Sequence, residues 1–150
     1  MNTVLVTGGS KGIGSAIAEE FASLGYAVAI NYNKSEEKAK ALSLELMKKY
    51  KVPVGAYKAD VKDRNEVAHM VAKIKDELGT IVILVNNAGI STQKEFSQIT
   101  NDEWKVMLST HLDGAFNCTQ EVMHDMIYRQ YGKIINISPM WVSPGVDIAG

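Results

Sequence analysis

Two short stretches of small and polar residues contain the groups that could do chemistry in this sequence. The first is Thr7-Gly8-Gly9-Ser10-Lys11-Gly12-Ile13-Gly14. Closely spaced glycines let a backbone turn tightly and approach a pyrophosphate, and a helix that begins there offers free N–H groups and the positive end of its dipole. A Walker-type loop is disfavoured because Ser15, and not Lys-Ser/Thr, follows Gly14. The predicted binding residues are Gly8, Ser10, Lys11, Gly12, Ile13 and Gly14, with a glycine-rich turn that binds nothing as the alternative.

The second stretch is Asn86-Asn87-Ala88-Gly89, which directly follows the apolar run 81–85. Small residues here would let a ligand lie close to the backbone, and asparagine side chains can join neighbouring strands at their ends. We predict that Asn87, Ala88 and Gly89 contact the same ligand as the first stretch. A simple Asx turn is the alternative.

Strand-like and helix-like segments alternate along the chain, which positions these two stretches. The predicted strands are Thr3–Thr7, Ala27–Asn31, Val52–Tyr57, Ile81–Val85 and Lys133–Ser138. A β-α-β alternation of this kind favours an α/β fold, a doubly wound parallel sheet of the Rossmann type with strand order 3-2-1-4-5. Both stretches then lie at the carboxyl ends of strands one and four, where such sheets bind ligands.

Periodicity and capping signals predict the helices. The first helix should begin at Gly12 and turn four apolar residues toward the sheet: Ile13, Ile17, Phe21 and Leu24. Asp63 and Glu66 have the spacing of a capping box at the start of the third helix.

A second capping box, at Thr100 and Glu103, begins a long helical region. We expect this region to run to about Arg129 and to be interrupted near Gly114.

Composition limits the class of protein. The 150 residues have a net charge of −1 and 46% hydrophobic residues, which fits one soluble domain over 1–150 and favours neither nucleic acid nor an anionic membrane as a partner. The single cysteine, Cys118, excludes an internal disulfide and fits a reducing cytosol, so we expect a cytoplasmic protein. No signal peptide, membrane-length apolar run or metal-ligand cluster is evident in the sequence.

These motifs together resemble the short-chain dehydrogenase/reductase family. TGGSKGIG is similar to that family's TGxxxGxG cofactor loop, and NNAG is similar to its second signature. Asp60 and Val61 resemble the pair that contacts the adenine, and KIINIS resembles the strand that leads to the catalytic serine. Within the family the sequence looks most like reductases of 3-oxoacyl-[acyl-carrier-protein] in fatty-acid synthesis, which implies an NADP-dependent oxidoreductase acting on a small-molecule or carrier-bound carbonyl.

The end of strand two favours NADP(H) over NAD(H). The stretch Asn31–Lys34 contains no acid, and the first acid is Glu36, whereas NAD sites place a carboxylate here to hold the ribose 2′-hydroxyl. Lys11, with Lys34 as a second candidate, could pair with a 2′-phosphate. The resemblance agrees, since a basic residue at the position of Lys11 marks members that prefer NADP. We predict Asn31 as a further cofactor-binding residue, and a solvated loop lysine is the alternative for Lys11.

The resemblance also implies a catalytic set, and the sequence departs from it at two positions. The asparagine that anchors a proton-relay water corresponds to His111, which can hold a water or can simply be satisfied within its helix. The carbonyl-polarising serine corresponds to Pro139, which has no hydroxyl. Ser138 stands one residue earlier, and one step along an extended segment reverses the side-chain direction. His111 and Ser138 are the remaining catalytic candidates.

The family's proton donor and its lysine form a Tyr-x-x-x-Lys pattern, which does not occur in these 150 residues. We therefore expect an incomplete short-chain reductase that lacks the C-terminal strands of the fold and is inactive by itself. A catalytically inactive NADP(H)-binding module, a pseudoenzyme and a truncated fragment are the alternatives. By the same resemblance, we expect a homo-oligomer formed through the long helix 101–130.

Overall fold

Five parallel strands form one sheet in the order β3-β2-β1-β4-β5, which confirms the predicted topology. The computed structural model describes residues 2–90 and 94–138. The strands are β1 Thr3–Val6, β2 Ala27–Tyr32, β3 Val54–Lys58, β4 Ile81–Asn86 and β5 Lys133–Asn136.

Helices cover both faces of the sheet. They are α1 Gly12–Ser23, α2 Glu36–Tyr50, α3 Arg64–Leu78, α4 Asn101–Leu108 and α5 Gly114–Tyr128, with a 3₁₀ turn at Phe96–Gln98 and a π-helical segment at Ser109–Asp113. Within the described ranges, no helix has both the length and the apolar character needed to cross a membrane.

The sheet separates two hydrophobic clusters because successive side chains of a strand point to opposite faces. Val4 and Val6 of β1 pack in the cluster that includes residues of α1 and α2. Leu5 packs on the other face, in the cluster that includes residues of α3 and α5. All residues of β1, β2 and β4 are buried, as expected for central parallel strands.

The predicted core face of α1 was wrong at both ends. Ile13 is 66% exposed and Leu24 is 63% exposed, while Ile17 and Phe21 pack only at the margin of the cluster. The buried residues of α1 are instead small: Gly14, Ala18 and Ala22. A Cβ atom on Gly14 would lie 2.4 Å from the Gly8 carbonyl oxygen, so only small residues let the helix approach the sheet this closely.

Two strand boundaries differ from the prediction by two residues, and the other strand ends that differ do so by one. β3 begins at Val54 and not at Val52, because Pro53 has no N–H to donate to the ladder, although its carbonyl accepts from the Val28 N–H at 3.0 Å. β5 ends at Asn136, two residues before the predicted end at Ser138.

The capping box at the start of α3 is only half formed. The Asp63 carboxylate accepts the N–H groups of Asn65 and Glu66, at 2.9 and 3.0 Å. The Glu66 carboxylate, however, accepts from the Asp60 N–H at 2.7 Å and not from Asp63. Glu66 therefore holds the loop that precedes the helix.

The long helical region agrees with the prediction. Thr100 and Glu103 form a complete capping box at its start. The interruption expected near Gly114 is the π-helical segment Ser109–Asp113, which directly precedes Gly114. Such segments widen a helix by one residue and often lie at functional sites.

Candidate functional site

The glycine-rich loop and the Asn86–Gly89 segment meet at the carboxyl ends of β1 and β4. β1 pairs with β2 on one side and β4 pairs with β5 on the other, so the chain leaves these adjacent strands in opposite directions. This is the topological switch point at which open parallel sheets form a ligand crevice.

Thr7 joins the two segments. Its hydroxyl oxygen accepts from the backbone N–H groups of Asn87 and Ala88, each at 2.9 Å, and its hydroxyl donates to the Val85 carbonyl at 3.3 Å. Thr7 is only 1% exposed, so its hydroxyl group makes these hydrogen bonds away from water, where the loss of an acceptor is costly.

Asn87 makes the reciprocal contact. Its side-chain Nδ2 donates to the carbonyl oxygens of Thr7 and Gly8, at 3.1 and 3.2 Å. A Cβ atom on Gly8 would lie 2.9 Å from Ala88 Cα, and one on Gly14 would lie 2.5 Å from Asn87 Nδ2. The absence of side chains at these glycines therefore lets the two motifs touch.

The Asn31 side chain forms a hydrogen bond to the glycine-rich loop. Its side chain is 2% exposed, with Oδ1 accepting from the Gly8 N–H at 3.2 Å and Nδ2 donating to the Ala59 carbonyl at 3.0 Å. The sequence predicted Asn31 as a cofactor-binding residue. The structure places its amide between the loop and the end of β3, where it fixes the loop's position.

The remaining residues of the loop lie at its outer side. Ser10 is half-buried, whereas Lys11 and Ile13 are exposed, and Gly12 has a left-handed φ of +58°. α1 begins at Gly12, so the N–H groups of its first turn have no partner within the helix. Together with the dipole of this 12-residue helix, they form an arrangement suited to a phosphate.

A cleft of about 360 Å³ opens beside this junction and brings the two catalytic candidates together with the motifs. Its walls include Thr7, Val61, Asn86, Ala88, His111, Gly114, Asn136 and Ser138. The cleft therefore adjoins all three of the strand ends at β1, β4 and β5.

His111 lies in the π-helical segment and contacts the backbone just after the second motif. Its Nε2 is 2.9 Å from the Ile90 carbonyl oxygen and 3.3 Å from the Ile90 nitrogen, so it donates to the first or accepts from the second, depending on the tautomer. A Cβ atom on Gly89 would lie 2.2 Å from His111 Cε1. Glycine at position 89 is thus required for the ring to lie where it does.

Ser138 is the last described residue, is exposed, and lines the cleft. Pro139, the position that corresponds to the family's serine, lies outside the described residues.

Sequence reasoning did not include Asn136, whose Oδ1 accepts from Asn86 Nδ2 at 2.9 Å. Asn86 Oδ1 is buried and has no partner among the described residues. Two asparagines at the ends of adjacent strands were the available signal, since Asn86 and Asn136 are paired in register.

Thr7 was likewise not selected from the sequence, although it is the first residue of the glycine-rich motif.

Elsewhere, burial raises the pKa of the Cys118 thiol to about 12, so this cysteine stays protonated and unreactive at neutral pH. Over residues 2–90 and 94–138, no three His, Cys, Asp or Glu side chains lie together in a way that could hold a metal ion.

The sheet order and the position of the glycine-rich loop define a Rossmann-type α/β protein. The family model described as short chain dehydrogenase matches residues 2–146. The chain belongs to the short chain dehydrogenase family, which confirms the resemblance seen in the sequence.

Individual relatives agree with this assignment. The chain is 41% identical over 134 residues to an acetoacetyl-CoA reductase of Paracoccus denitrificans, covering 89% of this chain and 53% of that protein. It is 40% identical over 136 residues to a 3-oxoacyl-[acyl-carrier-protein] reductase FabG of Staphylococcus aureus, covering 91% of this chain and 55% of that protein. The chain thus spans about half the length of the relatives it matches.

A solved structure shows the same fold. It is an alcohol dehydrogenase from the archaeon Thermococcus sibiricus complexed with 5-hydroxy-NADP, and it superposes with a TM-score of 0.83 at 26% sequence identity. The match covers 91% of this chain and 57% of the dehydrogenase.

Replacing Thr7 tests the junction of the two motifs. Thr7→Val keeps the shape of the side chain but leaves the N–H groups of Asn87 and Ala88 without an acceptor, so we expect the free energy of unfolding to fall by about 2 kcal/mol. Thr7→Ser keeps the hydroxyl and loses one methyl group, so it should cost about 1 kcal/mol or less. Urea unfolding of the three proteins measures the difference, and equal losses in both variants would contradict this role of the hydroxyl.

Proposed function

We propose that this protein is an NADP(H)-dependent oxidoreductase that reduces 3-oxoacyl thioesters, and that these 150 residues provide its cofactor site. The observation that carries the proposal is the junction at Thr7 and Asn87, which holds a glycine-rich loop and a helix N-terminus at the switch point. The names of the acetoacetyl-CoA and 3-oxoacyl-[acyl-carrier-protein] reductases support the substrate class.

The residues present fit a dinucleotide. Gly8 and Gly14 leave no room for a Cβ atom because the loop and the start of α1 pack directly against Asn87 and Ala88, which fixes the loop beside the helix N-terminus. A pyrophosphate would meet the backbone of the loop at this point. The first-turn N–H groups of α1 would bind its oxygens, with Ser10 beside them. Ala88 contributes a small side chain to the wall of the adjoining cleft, and Gly89, the next residue, has none. When bound, the cofactor supplies the hydride for reduction of a carbonyl.

The charges around the end of β2 favour a 2′-phosphate. Lys11 and Lys34 are exposed, and neither is among the ion pairs of the described residues. Glu36, the nearest acid in sequence, forms an ion pair with Lys40 at 2.6 Å, which lowers the pKa of Glu36 and balances its charge. A phosphate near Lys11 would therefore meet an unpaired cation, which supports NADP(H) over NAD(H).

His111 and Ser138 line the part of the cleft in which the reaction would occur. His111 fixes the Gly89–Ile90 backbone, and Ser138 presents a hydroxyl from the end of β5. Neither side chain replaces a tyrosine paired with a lysine as proton donor, and these 150 residues contain no Tyr-x-x-x-Lys pattern. Reduction by the whole protein therefore requires a proton donor from elsewhere.

A binding module that does not catalyse reduction is the second candidate function. The observation that favours it is local: Pro139 stands where the family places a carbonyl-polarising hydroxyl, directly after Ser138. Such a protein would bind NADP(H) through the same loop and segment without turning over a carbonyl.

We further propose that the protein assembles through α4, α5 and the segment between them, in the cytoplasm. This region exposes large apolar side chains: Trp104, Val106, Leu108, Leu112, Phe116, Met123 and Ile127, which are between 36% and 66% exposed. An apolar surface of this kind along one helical region is typical of an interaction site. The single buried thiol, Cys118, suits a reducing compartment.

Replacing Lys11 tests the cofactor preference. Because Lys11→Ala removes a charge-assisted contact to the 2′-phosphate, we expect the Kd for NADPH to rise about tenfold, with the Kd for NADH unchanged. Lys48→Ala, at an exposed lysine of α2, is the matched control and should alter neither. Fluorescence titration measures both constants, and wild type binding NADH as tightly as NADPH would refute the preference.

An activity assay separates the two candidate functions. We expect the 150-residue chain to bind NADPH but not to oxidise it with acetoacetyl-CoA, because loss of general-acid assistance costs about 10²–10⁴-fold in rate. Appreciable loss of NADPH absorbance would contradict the missing proton donor. If a longer chain carrying Tyr-x-x-x-Lys is also inactive, the binding module is favoured.

Sedimentation velocity tests the assembly. We expect wild type to sediment as a dimer or larger species, and Phe116→Asp to shift it to the monomer because a charge would enter the apolar contact. Leu44→Asp is the control, since Leu44 is 64% exposed on α2, outside the proposed surface. A monomeric wild type at micromolar concentration would rule out this surface as an oligomer interface.

A further inference from the structure

A third segment, the loop Ala59–Asp63, lies at the same edge of the sheet between β3 and α3. Most of its backbone polar groups have partners. The Ala59 N–H donates to Tyr32 O at 3.0 Å, the Asp60 N–H donates to Glu66 at 2.7 Å, and the Lys62 N–H donates to Asp60 Oδ1 at 3.0 Å. The loop is therefore held in one conformation by its neighbours.

The carbonyl groups of Val61 and Lys62 in this loop are bound by a side chain of α5. Asn117 of α5 donates from Nδ2 to Val61 O at 2.9 Å and to Lys62 O at 3.3 Å. Asn117 is only 8% exposed. Asparagine is a poor residue for a helix interior, so helix formation does not account for it, whereas these two hydrogen bonds do.

Gly114, one turn before Asn117, brings α5 against the same loop. A Cβ atom on Gly114 would lie 2.6 Å from Val61 Cγ2, so the helix backbone packs directly on the Val61 side chain. His111, three residues earlier, contacts Ile90 at the opposite side of the cleft. The short stretch 111–117 thus contacts backbone segments on both sides.

The loop leaves one donor and one acceptor side by side. The Val61 N–H finds no acceptor within the described ranges. The Asp60 carboxylate accepts from the Lys62 N–H and lies 3.7 Å from Lys62 Nζ, and its two oxygens have further lone pairs that can accept. Adenine offers the complementary pair, a ring-nitrogen acceptor beside the N6 amino donor.

We propose that Asn117 is a positioning residue for the adenine end of the cofactor. By holding the carbonyls of Val61 and Lys62, it keeps the Val61 N–H and the Asp60 carboxylate directed to an adenine base. This inference rests on the proposed NADP(H) site and extends it to a residue of α5 that contacts no cofactor atom itself.

Fragment binding tests the proposal. Calorimetry would measure the Kd for NADPH and for adenosine 2′,5′-bisphosphate, which carries only the adenine end. We expect Asn117→Ala and the similarly sized Asn117→Leu to raise both constants about tenfold, since both remove the hydrogen bonds. His111→Ala should weaken NADPH alone, and His124→Ala, an exposed position of α5, should change neither.

A second pair of variants addresses the same contact without touching Asn117. Gly114→Ala should weaken bisphosphate binding because its methyl group displaces Val61, and adding Val61→Ala should restore part of the affinity by making room. Amide hydrogen exchange at Val61 and Lys62 in the ligand-free chain should be faster in Asn117→Ala than in wild type.

The outcomes distinguish failure of the proposed NADP(H) site from failure of the positioning role of Asn117. If wild type binds neither ligand, the proposed function fails, while the exchange rates still decide whether Asn117 holds the loop. If wild type binds the bisphosphate and both Asn117 variants bind it equally well, the positioning role is overturned. It is also overturned if Asn117→Leu keeps wild-type affinity, because packing and not hydrogen bonding would then be sufficient.

Discussion

The hydrogen bonds between the Thr7 hydroxyl and the Asn87 and Ala88 N–H groups are the interaction on which the rest of this structure depends. At a switch point, the connections that follow two adjacent parallel strands leave them in opposite directions, so contacts between the loops themselves keep the two loops together. Here Thr7 and Asn87 exchange four hydrogen bonds with neighbouring backbone and keep the two motifs in contact. Any ligand of the crevice therefore meets two loops that already have fixed positions.

This contact explains the composition of the residues around it. Because the two motifs touch, Gly8 and Gly14 have no space for side chains, and α1 can approach only with small residues such as Ala18. The third loop is drawn into the same arrangement through Asn31, which spans from Gly8 to Ala59. The loops that border the crevice are thus held together by hydrogen bonds, and their polar groups are arranged before any ligand binds.

The topology and the two motifs could be predicted because they depend on local signals. Alternating apolar segments predict the strand order, and the positions of Gly8, Gly14 and Asn87 follow from where the strands end. The core face of α1 could not be predicted from periodicity, which registers the hydrophobicity of Ile13 and Leu24 but not how closely the helix approaches the sheet.

The polar contacts of Asn117 and His111 could not be predicted from the sequence, because each joins residues far apart in the chain. Asn117 is 56 positions from Val61, and His111 is 21 positions from Ile90. An asparagine or a histidine within a helical pattern gives no indication of its partner. Glu66 shows a different limit at short range, since it has the correct spacing for a capping box with Asp63 but accepts from the Asp60 N–H, six residues earlier.

A titration of the ¹⁵N-labelled 150-residue chain with NADPH, followed by amide chemical shifts, tests the central claim most directly. We expect saturable shifts that are largest at Gly8–Gly14, Val61 and Ala88–Ile90, in the three loops at the carboxyl ends of β1, β3 and β4. Absence of saturable shifts, or shifts concentrated away from the carboxyl ends of β1 and β4, would contradict it.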